Sequence, residues 1–317
     1  MSLTLDRSSL QRVVAVINNK GGVGKTTLCA NIGGILAEAN WRVLILELDP
    51  QGNLGLDLGY RHTDGDDKGS ALSKSVLFGD TLIPLKNVRP NLDVLPGGEH
   101  IEILDKGISP RMSQSGSEGT AARLSLAKSL AAIGDNYDLI LLDCPPNIDS
   151  IQMLAVAAAR YILIPAKADD ASIDGLRLTA RRLDKVVDIN PEVDLLGVVN
   201  FDSSTSETKV RQEFSDDVVE ALESEEARKF IFTSYVRHSG ATAKAARKKR
   251  VLVHELEKSV QKQEKWYEAL RRGAKHISAG PQAAGNVADS LYAVTQELTA
   301  RLTAAEAEVA ETEGSHV

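Results

Sequence analysis

Residues 12–27 read RVVAVINNKGGVGKTT. Arg12 to Asn18 is a β-branched apolar run, which predicts a buried strand. The run stops at a glycine-rich loop, and Leu28 to Ala39, small and apolar on more than one face, predicts a helix. Strand, glycine loop, helix is the setting in which backbone N–H groups turn inward around phosphate oxygens. The helix N-terminus adds its positive dipole end. Gly21, Gly22, Val23, Gly24, Lys25, Thr26 and Thr27 therefore form a candidate phosphate loop. Lys25 is placed to reach β- and γ-phosphates, and the Thr26 hydroxyl to ligate Mg²⁺. The general pattern G-x-x-x-x-G-K-[ST] is not met in full, because Asn19 occupies its first glycine position. A second lysine, Lys20, opens the loop instead.

Outward from this loop, short apolar runs recur. Arg42–Leu48, Asn91–Pro96, Tyr137–Leu142, Tyr161–Pro165 and Leu195–Phe201 read as further strands, with helical patterns such as Ala121–Ile133 and Ile173–Val187 between them. Near-continuous apolar strands alternating with helices predict an α/β fold, a doubly wound and mostly parallel sheet with helices on both faces. Arg61–Ser70 and Gly107–Gly119 are rich in Gly, Ser and Asp and read as surface loops. After Lys244 the strands stop and charged helices take over. The expectation is a single P-loop domain over residues 1–317, with 241–317 a helical elaboration of it and a tail that frays after Glu306.

The chain has 317 residues, 43% of them hydrophobic and 26% charged, which excludes a disordered or fibrous protein. No run of about 18 apolar residues predicts a membrane span. With two cysteines, Cys29 and Cys144, and no apolar leader, the expected location is the cytoplasm. Aromatics make up only 4%, so the core must be aliphatic. The net charge of −7 is unevenly spread. Residues 241–275 hold 11 Lys and Arg against 4 acids, while residues 1–240 carry a net −9. A concentrated basic segment on an acidic protein suits local binding of a polyanion; a solvated helix face is the plain alternative.

KGGVGKTT resembles the deviant Walker A motif of the ParA/MinD ATPases. Glu47-Leu48-Asp49-Pro50-Gln51-Gly52-Asn53 resembles that family's second motif, with Glu47 where Asp is usual. Asp138 to Pro146, DLILLDCPP, resembles its Walker B strand and the turn after it. Gly197-Val198-Val199-Asn200 resembles its late strand near the base. The likeness runs over about residues 10–240 and favours the ParA branch, which partitions plasmids and chromosomes.

The resemblance implies ATP and Mg²⁺ as cofactors and a homodimer that forms on ATP binding. In it Lys20 of one subunit would contact phosphates held by the other, where a second cation offsets charge spreading over the transferred phosphoryl. Asp49, at a strand end, can orient the attacking water or hold Mg²⁺ through water, and the family assigns this position to hydrolysis. Lys20, Lys25 and Asp49 are thus the expected catalytic residues, and Thr26, Asp49 and Asp143 the expected metal site. Asn200 either hydrogen-bonds the adenine edge or is a structural strand-end residue. An iron–sulfur cluster, as in the related nitrogenase iron protein, needs two interface cysteines; Cys29 reads as a core residue instead.

Lys244, Arg247, Lys248, Lys249 and Arg250 fall within seven residues. Arg237 and His238 precede them, and Lys258, Lys262, Lys265, Arg271, Arg272 and Lys275 follow. On a helix, positions 244, 247, 248 and 251 share a face. Such a stripe suits phosphate contact without base readout. ParA-like proteins bind nonspecific DNA through this C-terminal part, so Arg237, Lys244, Arg247, Lys248, Lys249 and Arg250 are candidate DNA contacts, though none carries over from the family by position. The resemblance further implies a centromere-binding, ParB-type partner that stimulates hydrolysis, and association with the nucleoid. The acidic last stretch, without bulky aromatics, disfavours membrane binding. The rival expectations are a MinD-like or cargo-positioning ATPase on a membrane or protein scaffold, and a P-loop ligase of the dethiobiotin or cobyrinate synthase type.

Overall fold

The computed structural model describes residues 5–203, 208–262 and 280–314. Eight strands form one sheet: β1 (Val13–Val16), β2 (Val43–Glu47), β3 (Leu85–Arg89), β4 (Leu92–Leu95), β5 (Leu139–Asp143), β6 (Tyr161–Ala166), β7 (Asp194–Ser203) and β8 (Val236–Arg237). Their order across the sheet is β3-β4-β2-β5-β1-β6-β7-β8. Every pairing is parallel except β3 with β4. The four central strands β2, β5, β1 and β6 are buried at every position, which is why their sequences show no alternation.

One apolar layer lies on each face of the sheet. On one face, Leu44, Leu46, Ile140, Leu142, Ile162 and Ile164 meet the helices that include Leu72, Leu104, Leu126, Leu154 and Leu176. On the other, Val14, Val16, Ile45 and Leu141 meet Leu28 and Ile32 of the helix Lys25–Glu38, and that helix is covered in turn by Leu252, Leu256, Leu291 and Leu298. Each fully buried aliphatic side chain contributes about 1.5–3 kcal/mol relative to exposure. The last described helix, Ala284–Gly314, runs past Glu306, where the sequence suggested fraying. Its Ala- and Glu-rich composition favours helix, and Arg12 donates to Glu306 at 2.5 and 2.8 Å.

Several elements differ from expectation. β3 is a polar, half-exposed edge strand and β8 has two residues, so neither carries an apolar run. The stretch Gly107–Gly119 is not a loop throughout. The helix His100–Met112 crosses it, because Ile101, Leu104 and Ile108 recur at helical spacing and are buried. Its Pro110 lacks an N–H but sits in the last turn, two residues before the helix ends. The span Ala121–Ile133 holds two helices, Ser117–Arg123 and Ser125–Ala131, which break at Leu124.

Candidate nucleotide-binding site

β1, β5 and β2 end side by side, and their C-terminal ends carry the candidate chemistry. In register, Val16 pairs with Asp143 and Glu47 pairs with Asp143. The phosphate loop leaves β1 here and turns into the helix Lys25–Glu38. Gly24 is required twice over. Its φ is +90°, and a Cβ there would lie 2.2 Å from the Phe201 ring. Gly22 also has positive φ, at +74°, Val23 is buried, and Pro146 lies 3.9 Å from the Cβ position of Gly21. The Asn18 side chain fixes the loop's entry. It donates to the Pro165 carbonyl at 2.9 Å and accepts the Lys20 N–H at 2.9 Å.

Lys25 is buried, and its Nζ donates to the Lys20 carbonyl at 2.8 Å. Burial pushes its pKa down, and Asp143 pulls the other way. Asp143 is fully buried, and among the described residues neither carboxylate oxygen has a hydrogen-bond partner of ordinary geometry. Burial, with the nearby charges of Glu47 and Asp49, pushes its pKa well up, while Thr26 and Lys25 oppose that shift. Two orphaned carboxylate oxygens at a strand end beside a phosphate loop are the environment a divalent cation relieves. Asp143 and Thr26 therefore fit a magnesium site completed by phosphate and water.

Asp49 lies two residues beyond β2 and is buried; its Oδ1 accepts the Gln51 N–H at 2.8 Å. Glu47 is used differently. It accepts the Leu54 N–H at 2.6 Å, the Tyr60 hydroxyl at 2.8 Å and the Gly97 N–H at 3.3 Å. Burial pushes its pKa to about 7. Its carboxylate is thus occupied in holding residues 49–60 against the sheet.

Lys20 stands at the mouth of the loop with its side chain one-third exposed, and Nζ donates to Asp169 at 2.5 Å. Asp169 caps the helix Asp170–Val186 by accepting the Ser172 N–H. Burial raises the Asp169 pKa, but Lys20 and that N–H outweigh it and hold the carboxyl below its usual range. The same helix presses on the loop. A Cβ on Gly175 would lie 2.1 Å from Asn18 Oδ1, and Arg182 donates to Asn19 and to Asp149. Asp169, Gly175 and Arg182 carried no recognised motif; the local signal was the D-x-x-S cap of 169–172.

A cavity of about 500 Å³ opens beside the first turn of the helix Lys25–Glu38, lined by Thr27, Asn31, Phe201, Arg237 and Lys244 among others. Asn200 is buried in β7 and does not line it; its neighbour Phe201 does. Arg237 lies on β8, not on the basic helix, but lines the same cavity as Lys244, and its N–H donates to the Ser290 hydroxyl. Lys244, Arg247, Lys248 and Lys249 lie on the helix Gly240–Lys249 and are exposed, as is Arg250. Arg250 ends the helix with φ +56°, so Val251 falls outside it and the expected four-residue face stops at Lys248. Arg247 donates to Asp57 at 2.8 Å, and Lys258 pairs with Glu38. Lys265, Arg271, Arg272 and Lys275 lie outside the described residues. Cys29 and Cys144 are both buried, and burial raises both thiol pKa values.

A family model described as an AAA domain matches residues 11–195. The chromosome partitioning protein ParA of Caulobacter vibrioides is 32% identical over 225 residues, covering 67% of this chain and 79% of that protein. Among solved structures, the McdA–ATP complex of Cyanothece superposes with TM-score 0.66 at 20% identity, over 85% of this chain and 99% of that one. Cobyrinic acid a,c-diamide synthase of Mycobacterium smegmatis, with an ATP analogue and magnesium bound, gives TM-score 0.60 at 25% identity, over 84% of this chain and 98% of that one. The last two share the fold across different names, whereas the ParA match extends along the sequence itself. With a deviant phosphate loop, an orphaned strand-end aspartate beside it and that match, the chain belongs to the ParA/MinD-type family of P-loop partition ATPases.

Proposed function

We propose that the chain is a ParA-type partition ATPase, acting as one ATPase unit with residues 241–317 as its helical elaboration. ATP binds at Gly21–Thr27, with its base in the cavity beside Thr27, against Phe201, the neighbour of the buried Asn200. Bound magnesium neutralises phosphate charge, and Thr26 and Asp143 are the residues that would hold it, with Asp49 reaching it through water. Lys25 meets the β- and γ-phosphates. Asp49 orients the attacking water. Two copies close on the nucleotide, the dimer binds nonspecific DNA through its basic segment on the nucleoid, and a ParB-type partner stimulates hydrolysis and release.

The observation that carries this reading is the separation of the two loop lysines. Lys25 is enclosed by its own loop, while Lys20 sits at the mouth, one-third exposed, and meets only the capping carboxylate Asp169 among ion-pair partners described. A lysine so placed can reach a phosphate presented from a second subunit once it leaves Asp169. The membrane-acting alternative finds no support in the last described helix. Its apolar residues Leu291, Val294, Leu298 and Leu302 are spent in the core. Among the described residues no helix is long and apolar enough to cross a membrane.

Light scattering with ATP, ADP and no nucleotide tests the reading, together with gel shift on random duplex DNA. The wild-type chain should dimerise and bind DNA with ATP alone. Lys20→Ala should bind ATP, since Lys25 and the loop amides remain, but stay monomeric. A mutant that dimerises normally with ATP refutes the bridging role of Lys20.

A further inference from the structure

The basic helix is joined to the segment that follows Asp49. The short helix Asn53–Leu58 begins four residues after Asp49, and its Leu54 N–H is held by Glu47. Its other end is clamped from the C-terminal side of the chain. Asp57, with a largely buried side chain, accepts from Arg247 Nε at 2.8 Å and from Nη2 at 3.4 Å. The Leu58 carbonyl accepts from Arg89 at 3.0 Å, and the same guanidinium donates to the Arg250 carbonyl at 3.2 Å and to Glu255 at 2.6 Å. Gly59 packs against Arg250, whose Cβ lies 3.2 Å from where a glycine Cβ would stand. Asp57 and Arg247 also line the cavity beside Thr27. Arg247 nevertheless remains half exposed on the same helix as Lys244, Lys248 and Lys249.

We propose that Asp57 is an internal competitor for Arg247, so that a DNA phosphate engaging the basic helix draws Arg247 away from the helix Asn53–Leu58. The inference rests on the DNA-binding reading above and assigns the regulation of that site. One guanidinium fork cannot saturate both a carboxylate and a phosphate with bidentate geometry. Linkage then makes the effect reciprocal: DNA loosens Asn53–Leu58, and any change that loosens Asn53–Leu58 favours DNA. The basic segment and the segment carrying Asp49 thereby share one ion pair.

The experiment is fluorescence anisotropy on random-sequence duplex DNA with ATP and Mg²⁺ across a salt series, using the full chain, Asp57→Asn, Arg247→Gln and the double variant. Asp57→Asn keeps side-chain size while removing the competing charge. It should bind DNA about two- to fivefold more tightly, the reach of a partly exposed ion pair. The gain should vanish in the double variant, and Arg247→Gln should reduce the salt slope by roughly 0.9 per subunit. On the unaltered protein, hydrogen exchange of the amides of residues 55–59 should speed up when DNA is added. Asp57→Asn binding DNA no more tightly than wild type, or exchange unchanged by DNA, overturns the competition while leaving the DNA reading intact. No binding by wild type and Asp57→Asn alike removes the DNA reading and the competition with it.

Discussion

Two acids two residues apart, Glu47 and Asp49, divide structure from chemistry. Glu47 is enclosed and accepts three hydrogen bonds. Its extra methylene, relative to aspartate, carries the carboxylate to the Leu54 N–H and the Tyr60 hydroxyl. Glu47→Ala should leave these donors unpaired in the interior and destabilise the fold by about 2–4 kcal/mol, read as a lower midpoint in urea with an unchanged slope. Asp49 has one oxygen engaged, by its own turn. Asp49→Ala should retain ATP binding and ATP-dependent dimerisation but lose hydrolysis, leaving a dimer trapped on DNA. Hydrolysis at the wild-type rate would show that another group positions the water. The loop residues and Asp143 were legible in the sequence because their chemistry depends on local order, glycine by glycine and at one strand end. Asp169 and Arg182 were not, because they act on the loop from about 150 residues away and only the fold brings them there.

At the scale of elements, the sequence shows what is buried on both sides and conceals what is not. The four central strands are apolar except for Glu47 and Asp143 at their ends and were legible; β3, with the pattern LKNVR, lies at an edge and owes its place to pairing with β4. The closing helix Ala284–Gly314 is fixed partly by polar contacts with a segment near β8. Glu297 accepts from the Thr233 N–H at 3.0 Å, the Thr233 hydroxyl at 2.8 Å and the Ser234 N–H at 2.8 Å, and it pairs with Arg301. Burial raises its pKa, but these donors outweigh burial and hold it below the ordinary value. A depressed folded-state pKa means that the stabilisation is fully present above the unfolded value, about 4.3, and is lost as pH falls through the folded one. The protection of the amides at 233 and 234, measured against the intrinsic exchange rate at each pH, should therefore fall below about pH 4. Glu297→Gln should flatten that part of the pH profile; an unaltered profile would place the acid sensitivity elsewhere.

For the whole molecule, the charge distribution decides which face can meet a polyanion. Residues 1–240 carry a net −9 and residues 241–275 a net +7, so the basic segment is where the proposed approach to DNA would be most favourable. The fold sharpens this by placing the described part of that segment, residues 241–262, on the outer side of the helix Lys25–Glu38. The Val253 N–H is held there by Asn31 at 2.9 Å, and Leu252 and Leu256 pack into the core. This described part is therefore anchored by its apolar residues, and Lys244, Arg247, Lys248, Lys249 and Arg250 are exposed on it. Changing Lys248, Lys249 and Arg250 to Glu should weaken DNA binding without preventing ATP-dependent dimerisation, because none of the three lines the phosphate loop or the cavity beside Thr27. Each neutralised phosphate releases condensed counterions, so wild-type affinity should fall with salt at a slope of roughly −0.9 per contact. The Glu variant should show a much shallower slope. Under the proposed function, dimerisation would double the number of cations facing one duplex and so make a weak patch ATP-dependent without altering the patch itself. The variant therefore separates two views of the segment. If these cations only solvate a helix face, affinity and salt slope stay at their wild-type values; if they meet phosphate, both collapse while the dimer persists.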